Sequence, residues 1–488
     1  MRTLPVITLK SSPLSRLLWA IGMCLILTCG SQPPPAGAQA PQPVRRVNAP
    51  YFDGEVIFEQ EAIFWFGQVN GTSNYADGRV GYNDQELVVH LYIFDQWLWY
   101  DDSAPAVQDL ARWDAVSLYL DRSGQAGQAP SANSFRFVAQ LNHWQPRDEY
   151  QAAYRGNGSG WALSATSFTT QTGWRGNGLN GPSGRGWATG FRIPFASLGL
   201  SGPPSTGSTW RLAATVHDRD DLAGTPILDQ AWPETMQAQR PATWGHLVFG
   251  LPSYRRPLAR QGGVVTVRHG LNGATVPDAH VGGHTTCGDG LDFWTEWGDA
   301  NYAGYEQINI QNQQDVADWP CFSKYYVTFP LASIPPGKVI MSADLTLYHF
   351  GNAGAGYVPG PQPSLIQVLT IAEGWDEARL TWNNAPLALE NVSTTWVEPL
   401  ASYPGWPGVA RQWDVSRAVA ETYAAGEDSL RLALYEADYA MHSGKYFFSS
   451  DADQAARPTL RVVWGDALEA PESTVYMPLV LKESRNGL

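Results

Sequence analysis

Short apolar runs of strand length recur along most of this chain, and they constrain its fold more than any other feature. Residues 86–94 and 115–120 form two such runs, and residues 342–348 and 430–435 form two more. β-Branched and aromatic residues dominate the runs, while clusters of Gly, Asn, Asp and Ser separate them. In the first half of the chain no run keeps helical spacing for more than two turns. The pattern therefore predicts an all-β protein of antiparallel sheets packed as sandwiches.

The length of 488 residues is too great for one ordinary domain, so we expect two tandem, jelly-roll-like β-sandwiches. One helix is predicted at residues 414–425, where Asp414 or Ser416 can cap a stretch with apolar residues at helical spacing. The predicted organisation is a signal peptide and the start of a tether at 1–40, a Pro-rich tether at 41–49, the first sandwich at 50–250, a linker at 251–261, the second sandwich at 262–465 and a tail at 466–488.

The first forty residues have the pattern of a secretory signal peptide. Basic residues precede an apolar run at residues 17–27, and small residues at 36–40 offer cleavage sites. The apolar run is too short to span a bilayer, and no other stretch is long and apolar enough to do so. Cys29 could instead carry a lipid. We expect a secreted, extracellular protein, with lipid anchoring through Cys29 as the alternative.

Charge and composition exclude some partners. The formal net charge of −14 argues against nucleic acid, whose phosphates need clustered Lys and Arg, and disfavours strong binding to polyanionic glycans. Tryptophan is abundant, with 21 residues, and 12% of the chain is aromatic while 16% is charged. This balance, with many Gly and Pro, is typical of a secreted all-β protein with long turns.

A motif in the second half resembles that of a known family. Residues 374–377 read Gly-Trp-Asp-Glu, and residues 380–386 read Leu-Thr-Trp-Asn-Asn-Ala-Pro; upstream, residues 343–348 read Ala-Asp-Leu-Thr-Leu-Tyr. These strings resemble the DNRLRE-type domain, grouped with carbohydrate-binding module family 96, over about residues 262–464, and Glu377 stands where the family has an acidic residue. The string Asp-Asn-Arg-Leu-Arg-Glu itself is absent. The resemblance implies an extracellular β-sandwich with an accessory role.

The first half also resembles a family. Residues 113–116 read Trp-Asp-Ala-Val, residues 191–195 read Phe-Arg-Ile-Pro-Phe, and residues 244–249 read Trp-Gly-His-Leu-Val-Phe. In this order they are similar to the DOMON-like sandwich of carbohydrate-binding module family 9. Some broader relatives bind haem through His and Met, so haem stays a remote alternative here, with these candidate ligands: Met236, His90, His143, His217 and His246.

Aromatic rings are the expected sugar contacts, because the apolar faces of sugars stack on rings while polar groups at the rim take the hydroxyls. The candidates lie in loops or beside carboxylates, and they are Trp97, Trp99, Trp144 and Trp174 in the first half and Trp294, Trp297 and Tyr302 in the second. For each of them the alternative, which the sequence favours, is packing in a core or a loop. The motif's own Trp375, Trp382 and Trp413 are interpreted as structural.

Cysteines and acidic clusters suggest two further features. Cys287 and Cys321 are the cysteines outside the signal region, and we predict a disulfide between them. His280, His284 and Cys287 have a zinc-like spacing, but a fourth ligand is not evident. A structural calcium ion is an open expectation, for which weak candidate ligands are Asp218, Asp220 and Asp221.

The sequence gives no support for catalysis. It contains no nucleophile elbow, zinc-protease motif or phosphate-binding loop. Two sandwiches also leave no stretch long enough for an enzyme domain. We therefore expect a non-catalytic protein that binds a polysaccharide or a cell-surface glycan, with avidity gained through the linker between two weak modules. A structural or adhesive surface protein without sugar binding is the alternative, and a polysaccharide-degrading enzyme is less favoured.

Overall fold

The computed structural model describes residues 43–103, 110–125, 127–142, 149–181, 184–313, 316–438 and 442–468. The strands in these residues form four sheets, which pack in pairs as two β-sandwiches. The all-β prediction is thus confirmed. Among these residues no helix is long and apolar enough to cross a membrane.

The first sandwich pairs a large sheet with a small one. The large sheet has eight strands, in the order β1 (Arg46–Ala49), β13 (Gly245–Phe249), β11 (Thr209–His217), β5 (Ala115–Asp121), β6 (Ser134–Gln140), β7 (Gln151–Gly156) and β8 (Trp161–Ser164), with β12 (Gln230–Trp232) paired to β11. The small sheet has the order β2 (Ala62–Asn70), β3 (Ser73–Tyr82), β4 (Glu86–Phe94), β10 (Gly184–Pro194) and β9 (Thr169–Gly176). Neighbouring strands are antiparallel except β1 and β13, which are parallel.

The second sandwich has the same two-layer plan. Its larger sheet has the order β14 (Ala259–Arg268), β24 (Thr459–Ala467), β18 (Val339–Asn352), β23 (Lys445–Phe448) and β16 (Gln307–Ile310), with β21 (Val409–Asp414) paired to β18. Its other sheet has the order β15 (Asp278–Gly282), β17 (Ser323–Pro330), β22 (Ser429–Glu436), β19 (Ser364–Thr370) and β20 (Glu390–Val397).

Each sandwich buries an apolar core between its sheets. Leu91, Leu118 and Phe191, from β4, β5 and β10, are fully buried in the first core, and Leu345 and Leu434, from β18 and β22, are fully buried in the second. The side chains point alternately to the two faces of a strand, so the apolar runs supply these cores. The predicted strand at residues 86–94 has the bounds of β4.

The predicted helix is confirmed as α1 (Ser416–Ala424). Ala418 and Val419 bury one face of it against the second core. The Asp414 carboxylate accepts the N–H of Ser416 at 2.9 Å, so one of the two predicted capping residues does bind the start of the helix.

A third apolar core joins the two sandwiches. On the outer face of β2 and β3, Trp65 and Tyr75 meet Tyr326, Trp382 and other residues of the second sandwich, and all four rings are buried. We call this set the shared core. It continues through the side chains of residues 293–297 and 319–322. The two sandwiches of residues 43–468 are therefore packed against each other as one compact unit.

A buried lysine lies at the centre of the shared core. The Lys324 ammonium nitrogen lies 3.6 Å from the ring centre of Trp382, 4.6 Å from those of Trp65 and Tyr75, and 5.3 Å from that of Tyr435. It also donates to the Tyr75 hydroxyl at 2.9 Å. Burial lowers the pKa of Lys324 well below its usual range. The surrounding aromatic faces compensate part of the desolvation of the amine.

Two boundaries differ from the expected organisation. The tether is predicted to run to residue 49, but Arg46–Ala49 forms β1, because Val47 and Ala49 bury against the first core and Asn48 exchanges hydrogen bonds with Asn391 of the second sandwich. The linker is predicted at 251–261, but β14 already begins at Ala259. Both strand ends lie in polar, Pro- or Arg-rich sequence without alternation, so periodicity gives no signal there.

Candidate functional site

The predicted aromatic candidates of the first sandwich are half-buried. Trp97 and Trp99 follow β4. The backbone N–H of Trp97 donates to the Asp95 carboxylate at 2.8 Å, and that of Trp99 donates to the Asp114 carboxylate at 2.6 Å. Trp174 lies on β9 and packs against the first core. Trp144 lies outside the described residues. These two hydrogen bonds fix the backbone of the segment that carries Trp97 and Trp99.

The candidates of the second sandwich contribute mostly to packing. Trp297 is 0% exposed in the shared core, and its indole N–H donates to the Pro320 carbonyl at 3.0 Å. Tyr302 is buried, and its ring stacks on that of His280 with the centroids 4.6 Å apart. Trp294 is half-buried, with its ring edge-on to Phe293. The structure therefore offers no open ring face at Trp297 or Tyr302.

The three tryptophans of the motif region are buried or half-buried in the cores, as their predicted structural role requires. Trp382 is buried in the shared core, and Trp413 is 0% exposed and donates its indole N–H to the Ile366 carbonyl at 3.0 Å. Trp375 is half-buried at the edge of the shared core. The motif thus identifies the fold of the second sandwich and does not by itself expose a binding surface.

The predicted disulfide is present. Cys287 and Cys321 are bonded, with their Cα atoms 4.1 Å apart. Cys287 is therefore not a thiolate ligand, and His284 binds the Asp289 carboxylate at 2.5 Å instead. His280 has a pKa lowered to about 3 by burial, so its ring is neutral. The zinc-like spacing thus belongs to a loop closed by a disulfide.

A small cluster of rings on the outer face of the second sandwich was not among the predicted candidates; Tyr348 and Phe350 are half-buried around the buried Phe448, and Trp406 is half exposed. Tyr348 and Phe350 point outward from β18, Phe448 lies beside them on β23, and Trp406 covers Phe448 from a neighbouring loop. We call these four residues the aromatic surface. The rings of Phe350 and Phe448 stack at 4.4 Å, and the Trp406 ring meets Phe448 edge-on at 4.9 Å. Trp406 remains 49% exposed.

The loop that carries Trp406 is fixed to the sheet. The Asn352 side chain at the end of β18 donates to the Leu400 carbonyl at 2.8 Å and accepts the Leu400 N–H at 2.9 Å. Residues 404–408 read Pro-Gly-Trp-Pro-Gly. A tryptophan between two Pro and Gly residues cannot continue a strand, and this was the signal in the sequence that could have identified an exposed ring.

The first sandwich carries a cleft of about 610 Å³. It lies on the outer face of β4, β10 and β9, beside the part of the sheet that the second sandwich covers. Tyr92, His90 and Gln171 line it together with Phe58 from the preceding loop. Of these four residues only His90 was a candidate, as a haem ligand, and the predicted sugar contact Trp174 also lines the cleft.

A carboxylate cluster forms the candidate metal centre. One carboxylate oxygen from each of Asp95, Asp218 and Asp220 lies within 4.8 Å of the others. Burial, followed by repulsion from Asp220, raises the pKa of Asp218 to about 7, and burial, followed by repulsion from Asp221, raises that of Asp220 to about 6. The pKa of Asp95 is raised well above its usual range by burial and by Asp218.

The donor set suits a hard cation. Oδ2 of Asp95 and Oδ1 of Asp218 are buried without a hydrogen-bond donor, and three carboxylates supply the oxygen ligands that Ca²⁺ prefers. Asp221, predicted with Asp218 and Asp220, instead accepts the N–H of Thr225 at 3.0 Å. Asp95 takes its place from the end of β4, a distant part of the sequence.

A second acidic group involves the motif itself. Oxygens of Asp278, Glu377 and Asp451 lie within 4.8 Å of one another. However, Asp278 already accepts hydrogen bonds from the Tyr325 hydroxyl and from the N–H and hydroxyl of Ser450. Because its oxygens are occupied, this group is less suited to a cation than the cluster around Asp95.

The described haem candidates are engaged in other contacts. Met236 packs beside Trp244, while the imidazole of His90 binds Glu61 at 2.8 Å and that of His217 binds Asp229 at 2.8 Å. Burial lowers the pKa of His246 to about 4. His143 lies outside the described residues. The imidazoles of His90 and His217 thus make hydrogen bonds to carboxylates within the first sandwich.

Comparison with known proteins agrees with the resemblance of the second half. Residues 294–463 match the model of carbohydrate-binding module family 96. Solved structures similar to the N-terminal part include a carbohydrate-binding module family 9 from Caldicellulosiruptor kristjanssonii in complex with cellotriose, at 17% identity and a TM-score of 0.31, covering 43% of this chain and 95% of that one. The same kind of module in complex with glucose has 17% identity and a TM-score of 0.30, covering 44% and 100%. No curated protein matches the chain.

Proposed function

We propose that the protein is an exported, non-catalytic carbohydrate-binding protein that attaches to polysaccharide through the aromatic surface. The single observation that carries this proposal is the match of residues 294–463 to a carbohydrate-binding module family. All four residues of the aromatic surface lie inside the matched stretch. Export is inferred from the signal-peptide pattern of residues 1–40.

The chemistry of the aromatic surface suits a sugar ring. The half-exposed Trp406 ring, held against the buried Phe448, supplies apolar contact area that stays rigid, so little conformational entropy is lost on binding. Polar side chains adjoin the rings on the same face of the sheet, where Gln412 donates to the Thr346 hydroxyl at 3.4 Å and both stay accessible. Such groups can bind sugar hydroxyls around a stacked ring.

The test is affinity electrophoresis of the full chain in gels that contain hydroxyethyl cellulose, xylan, galactomannan or alginate. We expect at least one polysaccharide to retard the protein. Trp406→Ala should weaken that binding by up to about tenfold, since an aromatic contact contributes roughly 0.5–1.5 kcal/mol. The matched control is Trp396→Ala, which removes another exposed indole, on β20. Migration of the parent protein unaffected by every gel would overturn the proposal.

A second candidate function is a structural or adhesive spacer. The observation in its favour is that Trp297 is fully buried and that most indoles among the described residues cover cores. A spacer predicts no retardation in any gel. Enzymatic action is tested in the same samples, because release of reducing ends from a polysaccharide would contradict a purely binding role.

A further inference from the structure

We propose that the cleft on the first sandwich is a second carbohydrate site, which takes a short, uncharged oligosaccharide. The proposal rests on the proposed function for the class of ligand, but not for the location, since the cleft lies outside residues 294–463. The volume of about 610 Å³ is within the range of small-ligand sites, which is roughly 300–1,000 Å³.

The floor of the cleft is open because its central residues are small. On β10, Ala188 lies opposite Tyr92 of β4 and Gly173 of β9, and Gly190 lies opposite Gln171 of β9. A Cβ at Gly173 would have no atom within 4 Å, which shows that the space above this glycine is empty. Larger residues at these central positions would fill the trough that the outer strands enclose.

The aromatic wall of the cleft is held rigidly. The rings of Phe58 and Tyr92 lie edge-to-face with their centroids 5.4 Å apart, and the Arg79 guanidinium carbon lies 4.7 Å from both centroids. Arg79 is fully buried, and it donates to the Asn312 side chain at 3.1 Å and to the Ala437 carbonyl at 3.4 Å. Because both acceptors belong to the second sandwich, that sandwich fixes the wall of a site on the first.

Two of the ionisable side chains that line the cleft are paired within the protein. The His90 imidazole is bonded to the buried Glu61 carboxylate at 2.8 Å, and the Arg192 guanidinium donates to Glu86 at 3.0 Å. At the rim, Glu55 and Arg175 are exposed and of opposite sign. Inside this rim of opposite charges, the cleft offers a ligand uncharged hydrogen-bonding groups, such as the Gln171 amide, next to aromatic rings. This combination favours a neutral glycan over an acidic one.

The test is isothermal titration calorimetry of the full chain with cellotriose, xylotriose, mannotriose and, as the acidic probe, trigalacturonate. We expect at least one neutral trisaccharide to bind, and Gly173→Leu to reduce its affinity at least tenfold, because the new side chain starts in open space and extends into the cleft. Gly178→Leu is the matched control, since Gly178 also has open space but does not line the cleft. Gln171→Ala removes an exposed amide and should weaken binding severalfold even if the leucine variant fails to fold.

Equal affinity of the parent and both cleft variants would overturn the proposal, and so would binding of trigalacturonate alone. The outcome for the proposed function is read separately. If Trp406→Ala loses retention by a polysaccharide while no neutral trisaccharide titrates the parent, the cleft proposal fails and the proposed function stands. If trisaccharide binding depends on Gly173 and no polysaccharide retards the protein, the aromatic surface fails instead.

Discussion

The shared core and the aromatic surface are both rich in rings, but they use them in opposite ways. In the shared core, Trp65, Trp382 and Tyr435 are buried around the Lys324 amine, and their ring faces contact only protein. On the aromatic surface, Tyr348 and Phe350 are half-buried around Phe448, and Trp406, in a neighbouring loop, keeps 49% of its surface exposed.

The difference shows that the number of tryptophans does not predict binding. The residues that surround each ring in the fold decide whether its face can contact a ligand. Trp382 lies in a polar string and is nevertheless buried by the neighbouring sandwich, whereas Trp406 lies in a Pro- and Gly-rich turn and stays half exposed. The predictions below test whether the two regions are energetically as distinct as they are structurally.

The largest effect is expected for Trp382→Ala. It removes a large ring from the shared core and should lower the free energy of unfolding by about 3–5 kcal/mol. Because both sandwiches contribute to that core, they should unfold in one transition at a lower temperature. Differential scanning calorimetry measures this. Two separate transitions, with only one shifted, would show that the sandwiches are independent.

The next effect concerns the disulfide that closes the loop carrying Trp297 into the shared core. Replacing Cys287 and Cys321 together by Ala should lower the free energy of unfolding by about 2–4 kcal/mol, because the open loop gains entropy in the unfolded chain. Denaturation in urea measures the change. Binding at the aromatic surface should persist, and its loss would mean that the two regions are coupled.

The carboxylate cluster should give a smaller, condition-dependent effect. Without metal, the folded protein holds protons on Asp218 and Asp220 up to about pH 7 and about pH 6, whereas unfolded Asp releases them near about pH 4. The folded state thus binds more protons in this window, so its stability falls as the pH rises from about 4 to about 7. Calcium should oppose the fall, by about 2.7 kcal/mol at a hundredfold excess over its Kd.

Melting temperatures at pH 4.5 and pH 7.5, with chelator or with calcium, measure this response. The Asp218→Asn variant should lose most of the stabilisation by calcium. A parent protein whose melting temperature at pH 7.5 is the same with chelator and with calcium would exclude the cluster as a calcium site.

The smallest effect on stability is expected for Trp406→Ala. The ring is half exposed, so the free energy of unfolding should change by no more than about 0.5 kcal/mol, while polysaccharide affinity falls. The same substitution is thus made in both regions: Trp382→Ala should mainly lower stability, and Trp406→Ala should mainly lower polysaccharide affinity. A large drop in melting temperature for Trp406→Ala would place this ring with the structural ones.

Much of the fold could be predicted, because strands are local. The apolar run at residues 86–94 became β4 with the same bounds, and the helix followed from apolar spacing near Ser416. The shared core was not predicted, although the sequence carries a signal for it. Residues 62–66 read Ala-Ile-Phe-Trp-Phe without polar alternation, which indicates a strand buried on both faces.

The candidate sites were harder to predict, because they combine residues that are distant in sequence. Asp95 joins Asp218 and Asp220 only through the fold, so local spacing selected Asp221 instead. The cleft exists because Gly173 and Ala188 have small or no side chains, and open space of this kind has no sequence motif. Trp406 was not predicted either, although its Pro and Gly neighbours mark a turn that can hold an exposed ring.

The packing of the two sandwiches through Lys324 and its rings also changes how two weak sites would cooperate. A flexible linker lets a pair of modules adapt to any spacing on their target, and avidity then depends on linker length. A rigid body instead holds its two sites at one fixed distance and orientation. If the cleft and the aromatic surface engage one polymer, only chains that present segments at one fixed separation and angle can satisfy both, so selectivity would come from the shape of the glycan as well as from its sugars.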